Sequence, residues 1–594
     1  MTHFDLDGTD FSLATFAPHS KTGSASAKTV AKIPARDEVP VDDTWDLTRL
    51  YKSDKAWEQE FKRWACQTDS ITESRGHLGD IDHLVELLTL SDKLSRCAER
   101  LGQYVYLKVT QDGSNALYQQ MKERFRFACS QYEEKSSFIH PELLSLSRAL
   151  WKKMLDDERL APWKLSLTRL LRQKSHTLSV REERLLALSS QVEQIPEQTF
   201  DFLNDVDLSF GELRDENGQT MPLTHSTFIL FLHSPKREVR REAFSKFYQV
   251  YEQHRHTLAS LLAGSIKKDF FYSKARNFAD TMEASLFSEH IPRTVYDHLI
   301  EGIHDALPEV HRYYDIRRKA MGYRDIHFYD TYVPILPDVK KSFKWDEAVE
   351  LVLDAVSPLG NDYVRILRKG LCKDRWVDRY ENQNKASGAF SYGTYDVPPY
   401  IMLNYKADNI DSVFTLAHEA GHAMHSWFSA KTQPWRYSHY AIFLAEIAST
   451  LNEELLSQYL LKHTTDKIER AWLVNRQIDA IRATIFRQTM FSEFEKQTHE
   501  LASQGKPLTV DDFRNIYRQL LEAYFGPDFT IDESLTLECF RIPHFYRSFY
   551  VYKYATGMSA ALALAGRILD GGKNERDDYF KLLKGGCSAD PLDI

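Results

Sequence analysis

The segment DSVFTLAHEAGHAMHSWF (411–428) contains the pattern His418-Glu419-x-x-His422. Two histidines four residues apart lie on one helix face, about 5–6 Å apart at Cβ, which suits two ligands of one tetrahedral Zn²⁺. Glu419 is turned about 100° from His418 around the helix axis. In that position it can face a water activated by the metal and act as a general base. The spacing therefore predicts a hydrolytic zinc site.

The bare motif is not decisive, because chance produces it roughly 0.1 times in a chain of this composition. Its surroundings strengthen it. Val413, Leu416 and Met424 indicate a buried helix, and burying two histidines and a glutamate without partners would cost several kcal/mol. A ligand role is therefore favoured over a structural one, whereas His425, seven residues after His418, is predicted to be a packed residue.

A zinc hydrolase needs a third protein ligand and an open fourth position. Downstream, FLAEIASTLNEELL (443–456) has helical periodicity and offers Glu446, Glu453 and Glu454. Periodicity alone also fits three solvated helix charges. The need for an anionic third ligand favours Glu446 but leaves the other two glutamates as alternatives.

Several segments together resemble the oligoendopeptidase F branch of the thimet-oligopeptidase-like zinc metallopeptidases. The resemblance covers roughly 43–590, with the motifs in the family's order: DTWDLTRLY, SPKREVRREAF, KASGAFSYGTYDVPPYIMLNY, HEAGHAMHSWF, QPWRYSHYAIFLAEIASTLNEE and RIPHFYRSFYVYKYATG. It implies that Glu446 is the third zinc ligand. It also implies a mainly α, two-lobed fold around a deep substrate channel, with a small β-sheet near the zinc site.

The aromatic-rich segment FRIPHFYRSFYVYKY (540–554) equally fits a core helix with an aromatic stripe. The resemblance implies instead that a histidine and a tyrosine here donate hydrogen bonds to the substrate carbonyl and the tetrahedral intermediate. We assign these roles to His544 and Tyr552, with Tyr546 and Tyr550 as further candidates.

A substrate-binding strand is implied by the resemblance upstream of the motif helix. Gly388, Ala389 and Phe390 precede a predicted extended segment, where the edge of a sheet would pair with an oligopeptide substrate.

The predicted function is therefore that of a zinc-dependent endopeptidase that cleaves internal bonds of short oligopeptides, with Glu419 as general base. A carboxypeptidase or dipeptidyl peptidase on the same scaffold is one alternative. A non-catalytic peptide-binding protein is another, although a protein that only binds peptides needs no general base.

These residues require a scaffold, and the chain divides into three parts. Residues 1–42 are rich in Ser, Ala, Lys and Thr without periodicity and are predicted to be a disordered tail. Residues 43–200 form a predicted helical lobe, and residues 201–594 a predicted catalytic domain. Asn217-Gly218 indicates a β-hairpin near the start of that domain.

Composition excludes several classes of protein. The net charge of −9 offers no basic surface for nucleic acid. There is no run of about 18 apolar residues that could span a membrane. Six widely spaced cysteines without a CxxC pair indicate reduced thiols. We therefore expect a soluble, cytoplasmic protein whose partners are oligopeptides.

Overall fold

The computed structural model of the protein describes residues 33–337, 339 and 341–594. These residues form 21 α-helices and five short strands, which confirms the predicted mainly α fold. Their buried apolar side chains form three hydrophobic cores. Within this described part, no helix combines the length and the hydropathy that crossing a lipid bilayer requires.

The first core lies among the helices of the N-terminal part. These are α1 (Asp54–Gln67), α2 (Ile81–Gln111), α3 (Ala116–Ser136), α4 (Ile139–Ser145), α5 (Arg148–Asp156) and α6 (Lys164–Arg172). In α2, Leu84, Leu87, Leu94 and Leu101 are almost fully buried, at the three- and seven-residue spacing of one apolar helix face. The predicted helical periodicity is thus present in the structure.

Residues 33–42 have a defined structure, so the prediction of a disordered tail is wrong for them. They form two 3₁₀ turns, Arg36–Glu38 and Val41–Asp43. The Arg36 guanidinium donates to both carboxylate oxygens of buried Asp378, at 2.9 and 2.5 Å. A buried carboxylate requires such a partner, and this pairing holds the segment. The rest of the predicted tail, residues 1–32, lies outside the described residues.

The second core lies in the middle of the chain. Buried side chains of α8 (Ile195–Phe202), α9 (His225–Leu232), α10 (Arg237–Ala275) and α12 (Arg293–Ala320) contribute to it. Helix α7 (Val180–Glu193) precedes α8 in the chain, and α11 (Thr281–Phe287) packs into the third core. The strands β1 (Glu212–Arg214) and β2 (Thr220–Pro222) pair antiparallel, with Leu213 opposite Met221. This confirms the hairpin predicted at Asn217-Gly218.

The third core surrounds the motif helix. The remaining helices are α13 (Trp345–Ala355), α14 (Asn361–Cys372), α15 (Asp411–Thr432), α16 (Ile442–His463), α17 (Lys467–Ile481), α18 (Arg487–Ser503), α19 (Val510–Phe525), α20 (Tyr552–Gly571) and α21 (Lys573–Gly585). Of these, α18 and α19 pack into the second core, whereas α15, α16 and α20 pack into the third. The stretch 201–594 therefore contains two cores, and α12 contributes to both.

A three-stranded sheet connects the first and third cores. Its order is β3 (Val377–Asp378), β5 (Tyr400–Met402) and β4 (Phe390–Tyr392), with β3 parallel and β4 antiparallel to β5. Side chains alternate along a strand, so Tyr400 and Met402 enter the first core while Ile401 enters the third. The sheet thus lies between the N-terminal helices and α15.

Candidate active site

Helices α15 and α16 are in backbone contact at Gly421. A Cβ atom at this position would lie 2.4 Å from the Ala448 carbonyl oxygen and 2.6 Å from Ser449 Cα, so only glycine permits the approach. Gly421 immediately precedes His422, and Ala448 follows Glu446 by two residues. The close contact therefore brings the side chains of His422 and Glu446 into one place.

The three predicted metal ligands, His418, His422 and Glu446, lie together and form a group that could hold a metal ion. The Nε2 atoms of both histidines lie 3.5 Å from Glu446 Oε2, and all three ligand atoms lie within 4.8 Å of one another. Ligands about 2.1 Å from a tetrahedral zinc ion are about 3.4 Å apart. The donor set and its spacing thus fit a single Zn²⁺.

A second carboxylate orients one of these histidines. His418 Nδ1–H donates to Glu453 Oε1 at 2.7 Å, so that Nε2 is the ring nitrogen that faces Glu446. Such a hydrogen bond fixes the tautomer and ring orientation of a ligating histidine. Glu454, in contrast, accepts from the side chain of Gln477 at 2.7 Å. The three glutamates of α16 therefore have three different roles.

The charges around the site favour a cation. Burial lowers the pKa of His418, but the hydrogen bond and charge of Glu453, with the charges of Glu446 and Glu419, raise this pKa to about 10. Burial opposes ionisation of Glu446, yet His422 and His418 hold the pKa of this carboxyl at about 2. The same carboxylates would stabilise a divalent ion in place of the protons.

Glu419 is buried beside these ligands but is not one of them. Its side chain is 6% exposed, and within the described residues its Oε2 atom has no hydrogen-bond partner. Burial raises the pKa of Glu419, partly opposed by the two histidines. A carboxylate whose pKa is raised in this way is suited to accept a proton.

His425 is a packed residue, as predicted. It is fully buried, and its ring stacks on Tyr440 with the ring centroids 3.6 Å apart. Both ring nitrogens are without a hydrogen-bond partner in the described part of the chain. Burial lowers the pKa of His425 to about 3, so the ring is neutral.

Among the residues that the structure describes, β4 is an edge strand of its sheet and lies beside the motif helix. The Ile401 N–H of β5 donates to Trp376 O on the β3 side at 2.8 Å, so the alternation of the ladder turns Tyr400 and Met402 towards β4. Their partners in β4 are Tyr392 and Phe390. The intervening residue Ser391 therefore points its backbone N–H and C=O away from the sheet.

Gly388 and Ala389, which were predicted to bind substrate together with Phe390, lie just before β4. By the same alternation, Ala389 also points its backbone groups outwards. The Gly388 carbonyl accepts a hydrogen bond from Asn404 Nδ2 at 3.1 Å. Gly393, just after β4, has no room for a side chain, because a Cβ there would lie 2.2 Å from Ser426 Cβ on α15. The edge is thus held against the helix that carries the ligands.

His544 lies in the loop between α19 and α20, within the 3₁₀ turn Pro543–Tyr546. Its Nε2 atom is 3.3 Å from the hydroxyl of Tyr554, and its ring lies beside that of Tyr550, with centroids 6.2 Å apart. Tyr554 precedes Gly557 by about one helical turn, and a Cβ at Gly557 would lie 3.4 Å from Glu446 Cβ. Tyr550 and Tyr554 themselves pack against the second core.

Tyr552 and Tyr546 do not join this group. Tyr552 is fully buried in the third core, with its ring centroid 5.1 Å from that of Tyr296. Tyr546 is buried in the second core and stacks on Phe200. Because α20 begins at Tyr552, side chains two residues apart point in nearly opposite directions. The tyrosine hydroxyl beside His544 is therefore that of Tyr554, which the sequence reasoning missed, and not that of Tyr552.

Comparison with known proteins identifies the family. The profile "Peptidase family M3" matches residues 230–594, and the profile "Oligopeptidase F" matches residues 142–210. Oligopeptidase PepF of Bacillus subtilis is 40% identical over 572 residues, which cover 96% of this chain and 85% of that protein. An oligoendopeptidase F homolog of Borreliella burgdorferi is 38% identical over 558 residues, 94% of each chain.

Solved structures agree with the sequence comparison. A peptidase from Chlamydophila abortus superposes with a TM-score of 0.89 at 36% identity, over 95% of this chain and 94% of that one. Oligoendopeptidase-F from Enterococcus faecium superposes with a TM-score of 0.70 at 32% identity, over 90% and 91% of the two chains. With the ligand group and its neighbouring carboxylate on α15 and α16, these relationships show that the chain belongs to peptidase family M3, as a metallopeptidase of the oligoendopeptidase F branch.

Proposed function

We propose that the protein is a zinc-dependent endopeptidase that hydrolyses internal bonds of short oligopeptides and so serves their turnover. The observation that carries this proposal is the convergence of His418, His422 and Glu446, with buried Glu419 beside them. When bound, Zn²⁺ supplies Lewis-acid polarisation of the scissile carbonyl and lowers the pKa of a water.

Glu419 is the proposed proton carrier. Its carboxylate accepts a proton from the attacking water and delivers it to the departing amine. The buried position keeps bulk water from competing for this proton. Glu453 keeps the His418 ring in place throughout, because its hydrogen bond to Nδ1 is made on the side away from Glu446.

His544, Tyr550 and Tyr554 are proposed to stabilise the negative charge that develops on the carbonyl oxygen. Positioned N–H and O–H donors act strongly on such charge in a site that excludes water. Burial, with a smaller contribution from Arg547, lowers the pKa of His544. His544 is therefore neutral, and its Tyr554 hydrogen bond orients the ring without an ion pair.

The outward backbone groups of Ala389 and Ser391 are proposed to bind the substrate main chain by strand addition. Main-chain pairing of this kind does not require a free peptide end. It therefore supports cleavage within the chain over strict removal of terminal residues, and it accepts many sequences because side chains do not carry the pairing.

The test uses an internally quenched peptide that is acetylated at its N-terminus and amidated at its C-terminus. We expect cleavage that a chelator abolishes and added Zn²⁺ restores, with both products still blocked at one end. Cleavage that resists the chelator would contradict the zinc mechanism. Cleavage of only the unblocked peptide would instead favour a carboxypeptidase or dipeptidyl peptidase, and binding without cleavage would favour a non-catalytic protein.

We also propose a cytoplasmic location. All six cysteines are free thiols, which is usual for proteins of a reducing compartment. Fractionation of cells that produce the protein, followed by the peptide assay on each fraction, tests this location. Activity confined to an extracellular or membrane fraction would contradict it.

A further inference from the structure

The loop that carries His544 contains a strained residue. Phe549 has φ +59, a left-handed conformation that is a genuine outlier for a bulky side chain. It lies just before Tyr550 and a few residues before Tyr554. The direction of the chain at Phe549 therefore decides where these two tyrosines lie relative to His544.

Helix α18 provides the group that holds this conformation. Phe549 N–H donates to Glu495 Oε1 at 3.0 Å in a buried hydrogen bond. The Phe549 ring lies against His499, with centroids 4.7 Å apart. The preceding residue is tied to α10, because Ser548 Oγ donates to Asp269 Oδ2 at 2.5 Å. Two consecutive residues of the loop are thus bound to carboxyl groups of two different helices.

Glu495 has no other evident role. Its side chain is 2% exposed, and within the described residues Oε2 lacks a hydrogen-bond partner and the carboxyl makes no ion pair with Lys or Arg. Burial raises the pKa of Glu495 well above its ordinary range and so favours the neutral acid. Burying a carboxyl group that makes a single hydrogen bond costs free energy.

We propose that Glu495 is a positioning residue, which holds Phe549 in the left-handed conformation and thereby places Tyr550 and Tyr554 beside His544. It acts through the backbone and touches no substrate. The inference rests on the proposed function in one respect, namely that this loop stabilises the transition state. Conformational strain maintained by its surroundings is typical of functional sites.

The experiment compares Glu495→Gln, which retains a carbonyl acceptor, with Glu495→Leu, which retains the volume but not the acceptor. We expect Glu495→Leu to lower kcat by about 10²-fold with little change in KM, since the effect is on placement of transition-state donors. Glu495→Gln should restore most of kcat. Glu493→Leu is the matched control, because this carboxylate is on the same helix and bonds His304 and Tyr524 instead.

A structural role alone would not predict coupling to His544. We therefore measure Glu495→Leu again in a His544→Ala background, where the further loss of kcat should largely disappear. Zinc content should stay unchanged in every variant. If Glu495→Leu fails to fold, Ser548→Ala tests the same turn, with a smaller loss of kcat that should also vanish in that background.

Two results would overturn the inference: an unchanged kcat in soluble Glu495→Leu, or an equal loss with and without His544. Failure of the proposed function is seen separately, as absence of chelator-sensitive cleavage by the unmodified protein or as full activity of His544→Ala.

Discussion

A hydrogen bond of 2.7 Å joins Nδ1 of His418 on α15 to a carboxylate oxygen of Glu453 on α16. Helix α16 thus supplies both Glu446, a proposed metal ligand, and Glu453, which binds the ring nitrogen of His418 that faces away from Glu446. The guanidinium of Arg476 lies 3.8 Å from the other oxygen of Glu453 and extends this arrangement to α17.

Replacing Glu453 should weaken zinc binding without removing a ligand. We expect Glu453→Gln to reduce zinc affinity by about 10–100-fold, because the His418 ring loses its anionic acceptor. Competition with a chromophoric chelator measures this affinity. Glu454→Gln is the matched control, since the hydrogen bonds that Glu454 makes with described residues come from the side chains of Gln458 and Gln477. Equal affinities of the two variants would contradict the orienting role of Glu453.

Replacing Glu419 should separate metal binding from turnover. Glu419→Gln is expected to lower kcat by about 10²–10⁴-fold, because an amide cannot take up the proton of the attacking water. Zinc content, measured by elemental analysis after dialysis, should equal that of the unmodified protein. Substantial turnover by a zinc-loaded Glu419→Gln protein would show that another group is the base.

The two tyrosines at the start of α20 should respond differently to loss of the hydroxyl. Tyr554→Phe is expected to lower kcat by about 10²-fold, as for removal of an oxyanion donor, because its hydroxyl meets His544. Tyr552→Phe should change kcat little, since that hydroxyl has no partner in the described residues. The reverse result in steady-state kinetics would return the role to Tyr552.

A methyl group at Gly421 should damage the metal site through the backbone. Gly421→Ala places a carbon against Ala448 O, which forces α15 and α16 apart and separates His422 from Glu446. We expect a lower unfolding temperature and weaker zinc binding together. Gly302→Ala is the control, because a Cβ in that part of α12 meets no atom within 4 Å. It should stabilise the helix by about 0.5–1 kcal/mol.

Buried His425 should make stability depend on pH. In the unfolded chain its pKa is near 6.5, whereas burial lowers the folded value to about 3. Between these values the unfolded state binds more protons, so stability falls as pH falls below about 6.5, by about 1.4 kcal/mol per pH unit. Denaturant unfolding of the chelated protein at several pH values should show a flatter dependence for His425→Phe. Parallel curves for the two proteins would exclude a buried neutral His425.

The proximity of His418 and His422 was predictable, because helix geometry alone brings these two proposed metal ligands together. The resemblance then selected Glu446. Periodicity could not separate the roles of Glu446 and Glu453, which are seven residues apart on one helix face. Their difference arises from where α16 crosses α15, and that depends on the contact at Gly421.

The loop before α20 was harder to predict for a different reason. Whether Tyr552 or Tyr554 reaches His544 depends on the residue at which the helix begins, because a shift of two positions reverses the side on which a tyrosine lies. That start follows the left-handed turn at Phe549. We infer that this turn depends on Glu495, which is distant from it in sequence and belongs to no recognisable motif.

The residues proposed to act in catalysis are held by three different hydrophobic cores. The third core packs around the helices that carry the proposed metal ligands. Strand β5, which pairs with the proposed substrate edge β4, contributes side chains to both the first and the third core, and most of the His544 loop packs on the second. On the proposed mechanism, a peptide bond is therefore broken only while the three cores keep their relative positions. Peptidase activity would then require correct packing of all three cores, in addition to an intact set of metal ligands.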